Sequence, residues 1–364
     1  MSNNNHINTL AEEIQEDVEW IENSLDLDLN GVTLRIRTNH LPLLEQLERY
    51  FAHVTPGSSD PDIEIFALER EALDTGLPFV DWAREAGKSG RKDSYADLSG
   101  GRVVRKIRTG MLFLQSESIR MAVGPCLQYD NQVINFICSQ YMNWLQQNQW
   151  LVCHASGLEI QGRGVGIAGF SGGGKSTLML NLLENEQINY LTNDRLFINS
   201  EGGTASARGI PKLPRVNPGT IVHNRRLHGL LSAQRREALL QLPPTELWSL
   251  EEKYDVLIAP TYGKNRVTTE ARLDTFVLLN WQRESSEESR ITEINIRQRR
   301  ELLAALMKSP GPFYQKTDGS FQNDSDPFDE ERYLNALDGV TIYEVSGKVD
   351  FDAVQSQLTQ RLGL

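Results

Sequence analysis

The first third of the chain mixes helical and strand-like spacings of its apolar residues. A strictly alternating segment predicts a strand at residues 32–38, a helix follows at residues 41–54, and a second strand is predicted at residues 62–68. Before them, a capping-box pattern and apolar residues three or four positions apart predict an opening amphipathic helix. The residues of this pattern are Thr9 and Glu12 for the cap and Leu10, Ile14, Val18, Ile21 and Leu25 for the apolar face.

A long amphipathic segment follows this α+β portion. Residues 84–101 are polar and rich in Gly and Ser, which suits an exposed loop, and short strands are predicted after them. The next helix has one apolar face, formed by Ile134, Ile137, Tyr141 and Leu145. We place a domain boundary near residue 129, so that residues 1–128 form a smaller α+β accessory domain and residues 129–364 form a second domain.

Helix and strand patterns alternate through the second domain, as expected for an α/β fold. Residues 151–168 predict two strands joined by a tight turn at residues 161–164, and the chain closes with a strand and a terminal helix. Two polar stretches, residues 217–252 and 309–332, interrupt the pattern. Stretches of this length are expected to be loops or lids.

Residues 169–176 match the phosphate-binding pattern Gly-x-x-x-x-Gly-Lys-Ser, between a predicted strand and a predicted helix. In this motif, backbone N–H groups and the helix N-terminus hold anionic oxygens, the lysine supplies a charge for the β and γ phosphates, and the serine binds magnesium. The residues expected to bind ATP are Gly169, Phe170, Ser171, Gly172, Gly173, Gly174, Lys175, Ser176 and Thr177.

Composition limits the partners. The 364 residues carry a net charge of -12, which argues against a broad nucleic-acid surface or an anionic membrane as partner. The three cysteines form no Cys-x-x-Cys pair and favour a reducing compartment. The N-terminus has no basic region followed by an apolar run, and no apolar run approaches the length of a membrane span. We therefore expect a cytoplasmic protein.

Many protein classes use a phosphate-binding loop. The loop resembles that of ABC transporter ATPases, but the Leu-Ser-Gly-Gly-Gln motif and the apolar strand ending in Asp-Glu are missing downstream. The Asn-Lys-x-Asp motif with which GTPases recognise guanine is missing as well. The class must therefore be recognised from the residues beside the loop.

Those residues resemble the HPr kinase/phosphorylase family. In that family a strand bearing a histidine precedes Gly-x-Ser-Gly-x-Gly-Lys-Ser, and a pair of Asp residues at a strand end follows the helix; here His154 and Asn193-Asp194 occupy these places. Residues 207–224 and 242–256 and the Leu-Asn-Trp at 279–281 are similar, more particularly, to the related proteins called kinase B. The resemblance covers roughly residues 150–350. It implies a P-loop kinase domain of the phosphoenolpyruvate carboxykinase-like type, a mixed sheet with flanking helices.

The resemblance also implies roles for single residues. Asp194 would be the general base and, with Ser176, a magnesium ligand, and His154 would lie near the transferred phosphate. Asn193 replaces the first acidic residue of the pair, which puts reversal by phosphorolysis in doubt. Arg208 matches an arginine that faces phosphate, while Ser206 stands where the family has a metal-binding Glu, so the second metal ligand is unassigned.

Further charged residues are candidates for the acceptor or phosphate surface. A Pro-broken segment carries two of them and a Gly turn carries two more: Lys212, Arg215, Lys264 and Arg266. An ordinary solvated loop explains the first pair equally well. Glu251, Glu252 and Asp255 are candidate metal ligands, although acidic runs are usually solvated.

The expected function is magnesium-assisted, ATP-dependent phosphoryl transfer to a hydroxyl, with Lys175, Asp194, His154 and Arg208 as the catalytic residues. The acceptor could be an HPr-like protein serine, another protein hydroxyl or a small alcohol, and association with further copies of the chain is left open. A regulator that binds ATP and a partner without transferring phosphate is the alternative. An ATPase that couples hydrolysis to motion is a third, less favoured hypothesis because the motifs of that class are missing.

Overall fold

The computed structural model describes residues 6–83, 90–170, 172–323 and 325–364. These residues form a mixed α/β structure with large mixed sheets and helices. In this part of the chain, no helix is both long and apolar enough to cross a membrane. The chain divides into two compact units, which are described one after the other.

The first unit comprises Met1–Gln149 and Ser309–Pro327. Its strands are β1 (Leu25–Asp28), β2 (Thr33–Thr38), β3 (Thr55–Pro56), β4 (Ile63–Glu69), β5 (Val80–Asp81), β6 (Asp93–Leu98), β7 (Gly101–Lys106), β8 (Leu112–Ser116) and β9 (Arg120–Gly124). Its helices are α1 (Ile7–Gln15), α2 (Leu41–Tyr50) and α3 (Asp130–Gln147).

The described strands of this unit form one mixed sheet in the order β3-β1-β2-β4-β9-β8-β7-β6-β5. β4 pairs in parallel with β2 on one side and with β9 on the other, whereas the other neighbours are antiparallel. α1 packs Ile7, Leu10 and Ile14 into the apolar cluster that covers β7 and β8. This burial accounts for the amphipathic pattern at the start of the chain.

α1 is shorter than the sequence predicts. The side chain of His6, rather than that of Thr9, caps the helix by accepting a hydrogen bond from the backbone N–H of Asn8. The helix ends at Gln15, and Asp17 adopts the left-handed backbone conformation with φ of 61°. The apolar residues beyond Gln15 therefore pack outside a helix.

The boundary between the units falls after Gln149 and not near residue 129. α3 has the predicted apolar face, and its Phe136 ring lies 5.0 Å from the ring of Phe113 in β8. Because this face packs on the sheet of the first unit, α3 belongs to that unit. The amphipathic pattern identified the helix, but such a pattern does not show which of the two units the apolar face packs against.

Residues 309–332, predicted as a polar loop or lid, are divided between the two units. The part up to Pro327 belongs to the first unit. There the ring of Phe313 lies 5.5 Å from Phe113 and 5.4 Å from Phe136. A segment that the composition predicts to be peripheral therefore completes an aromatic cluster of the core.

Arg102 holds the same segment in place. Its side chain is 1% exposed and donates hydrogen bonds to the main-chain oxygens of Pro312 and Gln322, at 3.3 and 3.2 Å. A bidentate ion pair with Asp97, at 2.6 and 3.0 Å, compensates the buried charge. Both strands that carry this pair therefore depend on residues more than two hundred positions away.

The polar stretch at residues 84–101 differs from the predicted loop. Residues 84–89 lie outside the described part. Beyond them, β6 pairs antiparallel with β7 along its whole length. In β6, buried and more exposed positions alternate, but the sequence does not show this alternation because several of the positions are Ser or Asp.

The second unit comprises Trp150–Lys308 and Phe328–Leu364. Its strands are β10 (Leu151–Cys153), β11 (Ala155–Ile160), β12 (Arg163–Gly169), β13 (Ile188–Thr192), β14 (Leu196–Glu201), β15 (Thr204–Gly209), β16 (Arg215–Val216), β17 (Tyr254–Asp255), β18 (Glu270–Leu279), β19 (Arg290–Ile294) and β20 (Thr341–Ser346). Its α-helices are α4 (Lys175–Leu182), α5 (Pro218–His223), α6 (Ala233–Leu240), α7 (Pro244–Ser249), α8 (Ile258–Tyr262), α9 (Glu330–Ala336) and α10 (Phe351–Leu362), and two 3₁₀ helices span Arg225–Leu230 and Arg300–Ala305.

The main sheet of this unit is mixed and follows the order β10-β14-β15-β18-β12-β11-β13. β18 pairs in parallel with β12 on one edge. On its other edge, the first part pairs antiparallel with β15 and the last part pairs in parallel with β20. The two strands predicted at residues 151–168 are present as three, because the first is interrupted at His154 between β10 and β11.

The polar stretch at residues 217–252 is not a single loop. It contains α5, a 3₁₀ helix, α6 and α7. These elements bury isolated apolar side chains such as Ile221, Leu227, Leu239 and Leu247. Because each element is short, its few apolar positions do not give a helical period in the sequence.

Candidate functional site

Three segments of the second unit meet at one edge of its sheet because of how their strands pair. β11 runs antiparallel to both β12 and β13, with Ala155 opposite Ala168 and Gly157 opposite Thr192. The start of β11 therefore lies beside the carboxyl ends of β12 and β13. His154, the phosphate-binding loop and the Asn193-Asp194 pair all follow or precede these strand ends.

The loop after β12 depends on glycine. Gly172 and Gly174 have φ of 75° and 84°, a left-handed conformation that other residues adopt at a cost. A Cβ atom at Gly174 would lie 2.5 Å from Cζ of Phe351. The sequence of the loop is thus fixed both by backbone conformation and by space. Ser171 lies outside the described residues.

Aromatic side chains support the loop from the protein side. The indole Nε1 of Trp281 donates a hydrogen bond of 2.9 Å to the main-chain oxygen of Gly173. The rings of Trp281 and Phe351 pack edge to face with centroids 4.9 Å apart. Trp281 follows β18, whose end pairs with Gly169, so the sheet itself positions this support.

Lys175 begins α4 and lies across the loop. Its Nζ donates to the main-chain oxygen of Gly169 at 3.1 Å. Gly174 at the N-cap has no side chain with which to cap the helix, so the first N–H groups of α4 are left to another acceptor. A helix N-terminus together with a lysine is suited to binding an anion.

Asn193 joins the loop helix to β11. Its carboxamide Oδ1 accepts hydrogen bonds from the hydroxyls of Ser176, at 2.9 Å, and Ser156, at 2.8 Å. The side chain is buried, with 7% exposure. The hydroxyl that is expected to bind magnesium is thus oriented by the residue that replaces the first acidic residue of the pair.

Asp194 adjoins Asn193 and points to different partners. Its Oδ1 lies 3.1 Å from Nε2 of His154, and its Oδ2 accepts a hydrogen bond of 2.6 Å from Arg195. Its φ of 72° lies in the left-handed region, which Asp tolerates better than most residues. Neighbouring side chains at this strand end therefore face two separate hydrogen-bond networks.

The charges around Asp194 and His154 determine their ionisation. Burial by itself would raise the pKa of the Asp194 carboxyl, but Arg195 and the hydrogen bond from His154 hold that pKa well below its usual range. Burial lowers the pKa of His154, and the charges of Lys175 and Lys308 lower it further, against the effect of Asp194. At neutral pH this favours an ionised Asp194 that accepts the Nε2–H of a neutral imidazole.

Sequence reasoning missed Arg195, Ser156 and Lys308. Arg195 directly follows Asp194 in the sequence, and this adjacency was the only feature that could have identified it as a site residue. Lys308 is brought to the site by backbone pairing between distant segments, which no local sequence pattern indicates. The backbone N–H of His154 donates to Leu306 O at 2.7 Å, and Cys153 forms a β-bridge with Met307, the residue before Lys308.

Arg208 lies on β15, opposite Phe197 of β14. Its guanidinium pairs with Glu270 at 2.9 Å and stacks over the ring of Trp150 at 4.7 Å. This placement gives Arg208 partners within the protein. A role at phosphate would require it to leave Glu270.

The other basic candidates differ in their surroundings. Arg266 is 9% exposed and donates to main-chain oxygens of Leu183, Asn185, Ile188 and Tyr262. This arrangement stabilises the fold and differs from the expected phosphate-facing role, because the guanidinium is directed at carbonyl oxygens.

Arg215 pairs with Asp255 at 3.0 Å, while Lys264 is exposed in its turn. Lys212 follows β15 and accepts, through its main-chain oxygen, a hydrogen bond from Tyr190. Among the acidic candidates, Glu252 pairs with Arg235 at 2.7 Å. Glu252 and Asp255 thus lie in ion pairs with arginines.

Comparison with known proteins gives little. No protein-family model matches the chain, and no curated protein matches it. Among solved structures, the HPr(Ser) kinase/phosphatase from Coxiella burnetii is similar with a TM-score of 0.28 and 11% sequence identity, over 58% of this chain and 97% of that chain. A likeness of this extent does not assign a family, so the functional argument rests on the residues of the site.

Proposed function

We propose that this chain is an ATP-dependent kinase that transfers the γ-phosphoryl group to a hydroxyl acceptor. The observation that carries the proposal is the hydrogen bond between Ser176 and Asn193, which links the phosphate-binding motif to the strand end that bears Asp194. An anion-binding loop and an ionised carboxylate are thereby joined at one edge of a sheet. The proposal includes the finer assignment of the second unit to the phosphoenolpyruvate carboxykinase-like P-loop kinases.

The residues at this edge fit a magnesium ion. Ser176, Asn193 and Asp194 offer hydroxyl, carboxamide and carboxylate oxygens, which are the ligands that magnesium prefers, and this metal commonly uses only one or two carboxylates beside phosphate and water. Within the described ranges, no cluster of three His, Cys, Asp or Glu side chains suited to a metal is present. Ser176 and Asp194 would hold the ion, which neutralises charge on the phosphates when bound.

Lys175 and the N-terminus of α4 would bind and orient the triphosphate. In the transfer, a bond forms between the acceptor oxygen and the γ phosphorus, the bond to the β,γ-bridging oxygen breaks, and ADP leaves. Asp194 would accept the hydroxyl proton and later release it to solvent. Because its pKa is low, its main contribution is to orient the hydroxyl, as the loose transition state of such reactions requires.

His154 would fix the Asp194 carboxylate. A neutral imidazole donates its Nε2–H to Oδ1 of Asp194. This hydrogen bond holds the carboxylate in one orientation whether or not the hydroxyl substrate is bound. Arg195 constrains the other oxygen. Such preorganisation lowers the cost of reaching the transition state.

A nucleotide sensor that does not transfer phosphate is the second candidate function. Two observations favour it: Asn193 leaves the strand end with one carboxylate, and the ion pair with Arg195 makes Asp194 a weak base. Both proposals require ATP binding. Turnover alone separates them.

The test uses γ-labelled ATP, magnesium and lysate from the native organism, followed by separation of labelled protein from labelled small molecules. A kinase labels a protein or a small alcohol, and Lys175→Ala abolishes the label. ATP binding without any label would favour the sensor. Unchanged ATP affinity in folded Lys175→Ala would refute both, since each depends on this phosphate-binding loop.

A further inference from the structure

A stacked pair of side chains lies next to the phosphate-binding loop. The guanidinium carbon of Arg283 is 3.6 Å from the centroid of the Trp248 ring. The indole Nε1 of Trp248 lies 3.7 Å from the position that a Cβ atom at Gly172 would occupy. The stacked cation is thus within one side-chain length of the loop.

Arg283 differs from the other arginines of this region in its partners. Arg195 and Arg208 pair with Asp194 and Glu270. For Arg283, the described residues supply the ring of Trp248 and no carboxylate. Partial desolvation lowers the pKa of its guanidinium, which remains protonated at neutral pH. A cation that lacks an acidic partner in a chain of net charge -12 is suited to an anionic ligand.

The backbone beside Arg283 is well fixed. Two residues earlier, Trp281 donates to Gly173 O. The N–H of Gln282 donates to Gly347 O at 2.9 Å. The N–H of Ser285 donates to Gln282 O at 3.2 Å, which forms a turn around Arg283. The turn thus holds the Cα atom of Arg283 while the side chain remains exposed.

Trp248 also presents a donor. Within the described part of the chain its Nε1–H has no hydrogen-bond partner, and the residue, near the end of α7, is 36% exposed. The indole offers its face to the guanidinium and its N–H edge to the loop. An aromatic face orients an arginine without neutralising its charge.

We propose that Arg283 is a phosphate-binding residue of the nucleotide site, held in position by Trp248. On binding, its guanidinium contacts phosphate oxygens that face away from the loop, so that the phosphates lie between Arg283 and Lys175. The ligand class is a nucleoside polyphosphate, recognised here through its phosphates and not its base. The inference rests on the proposed phosphate site and adds a second cation to it.

The test compares Arg283→Ala with the parent by calorimetric titration with ATP and with inorganic tripolyphosphate. A lost charge-assisted hydrogen bond should weaken both ligands by a similar factor, roughly 10- to 100-fold. Arg272→Ala is the matched control, because Arg272 pairs with Asp274 and lies beside Arg163, at the other end of β12 from the loop. This control removes the same charge and should change either affinity less than about twofold.

Three outcomes overturn the inference: no change in Arg283→Ala, an equal change in Arg272→Ala, or weakening of ATP alone, which would place Arg283 at the nucleoside. Lys175→Ala is measured in parallel. If this variant also binds tripolyphosphate like the parent, the phosphate site itself fails, which distinguishes the two proposals.

A second variant tests the holding role of Trp248. Trp248→Phe keeps an aromatic face and should bind tripolyphosphate like the parent, whereas Trp248→Ala should weaken tripolyphosphate binding. The loss caused by Trp248→Ala should be smaller in the Arg283→Ala background than in the parent. Additive losses in the double variant would show that the two residues act separately and would refute the holding role.

Discussion

The carboxamide oxygen of Asn193 lies 2.9 Å from the hydroxyl oxygen of Ser176, and the same oxygen accepts a hydrogen bond from Ser156. One neutral side chain therefore orients the serine of the phosphate-binding motif. A carboxylate could accept the same two hydrogen bonds, so the position is compatible with either residue.

Asn193→Asp should keep these hydrogen bonds while placing two carboxylates on consecutive residues. Restoring the acidic pair should promote phosphate-dependent removal of the phosphoryl group, while repulsion between the two carboxylates should raise the pKa of one of them and slow forward transfer. The measurement is the release of pyrophosphate from phosphorylated acceptor and inorganic phosphate. Asn193→Ala is the control, and a variant that shows no gain in phosphorolysis over the parent would contradict the prediction.

Asp194→Asn removes basicity and keeps size. If Asp194 orients and deprotonates the acceptor hydroxyl, single-turnover transfer at saturating ATP should fall by about 10²- to 10⁴-fold while ATP still binds. Asp274→Asn, which alters an ion pair with Arg272, is the control. Transfer within about threefold of the parent would exclude Asp194 from the chemistry and favour the sensor.

His154 should make stability depend on pH. Burial lowers its pKa in the folded state, so the unfolded chain binds the proton more readily. The stability from the neutral imidazole is therefore complete above the unfolded pKa of about 6.5 and is lost as the pH falls through the lower folded value. Urea unfolding between these limits should show a smaller pH dependence in His154→Gln, and an unchanged dependence would assign the effect to another group.

Arg266 and Lys264 belong to one turn but should behave differently. Arg266→Ala leaves several buried carbonyl oxygens without a donor and should lower the free energy of unfolding by roughly 3 kcal/mol. Lys264→Ala, at an exposed position, should change it by less than about 0.5 kcal/mol. Urea unfolding measures both; a loss of ATP affinity in folded Arg266→Ala without loss of stability would restore the phosphate-binding hypothesis.

The glycine-rich loop between β12 and α4 could be located from the sequence because its requirements are local. Gly172 and Gly174 are needed for backbone conformation, and the spacing of the motif together with the apolar run before it marks the strand, the loop and the start of the helix. The strand that begins directly after His154 and the end of β13 could be found for the same reason. What the sequence could not provide is the pairing that brings these segments to one edge.

Long-range partners explain the remaining differences. Trp281 supports Gly173 from a distance of more than one hundred residues, and Lys308 reaches the site through the bridge beside Leu306. Arg266 illustrates the opposite case, since a cation in a Gly turn resembles a ligand-binding residue until its carbonyl partners are known. The sequence shows which charged residues are present, but whether such a residue binds a ligand or stabilises the fold depends on its burial and its partners.

The attachment of residues 309–327 to the first unit has a consequence for synthesis of the chain. Phe113, Phe136 and Arg102 gain their contacts with residues 309–327 only after the ribosome has made that segment, although the other elements of that unit end by Gln149. At about 5–20 residues per second, the intervening 178 residues (327 minus 149) take roughly 10–35 s to translate. During that interval the nascent first unit exposes an incomplete aromatic core, and the second unit has time to begin folding before the first is finished.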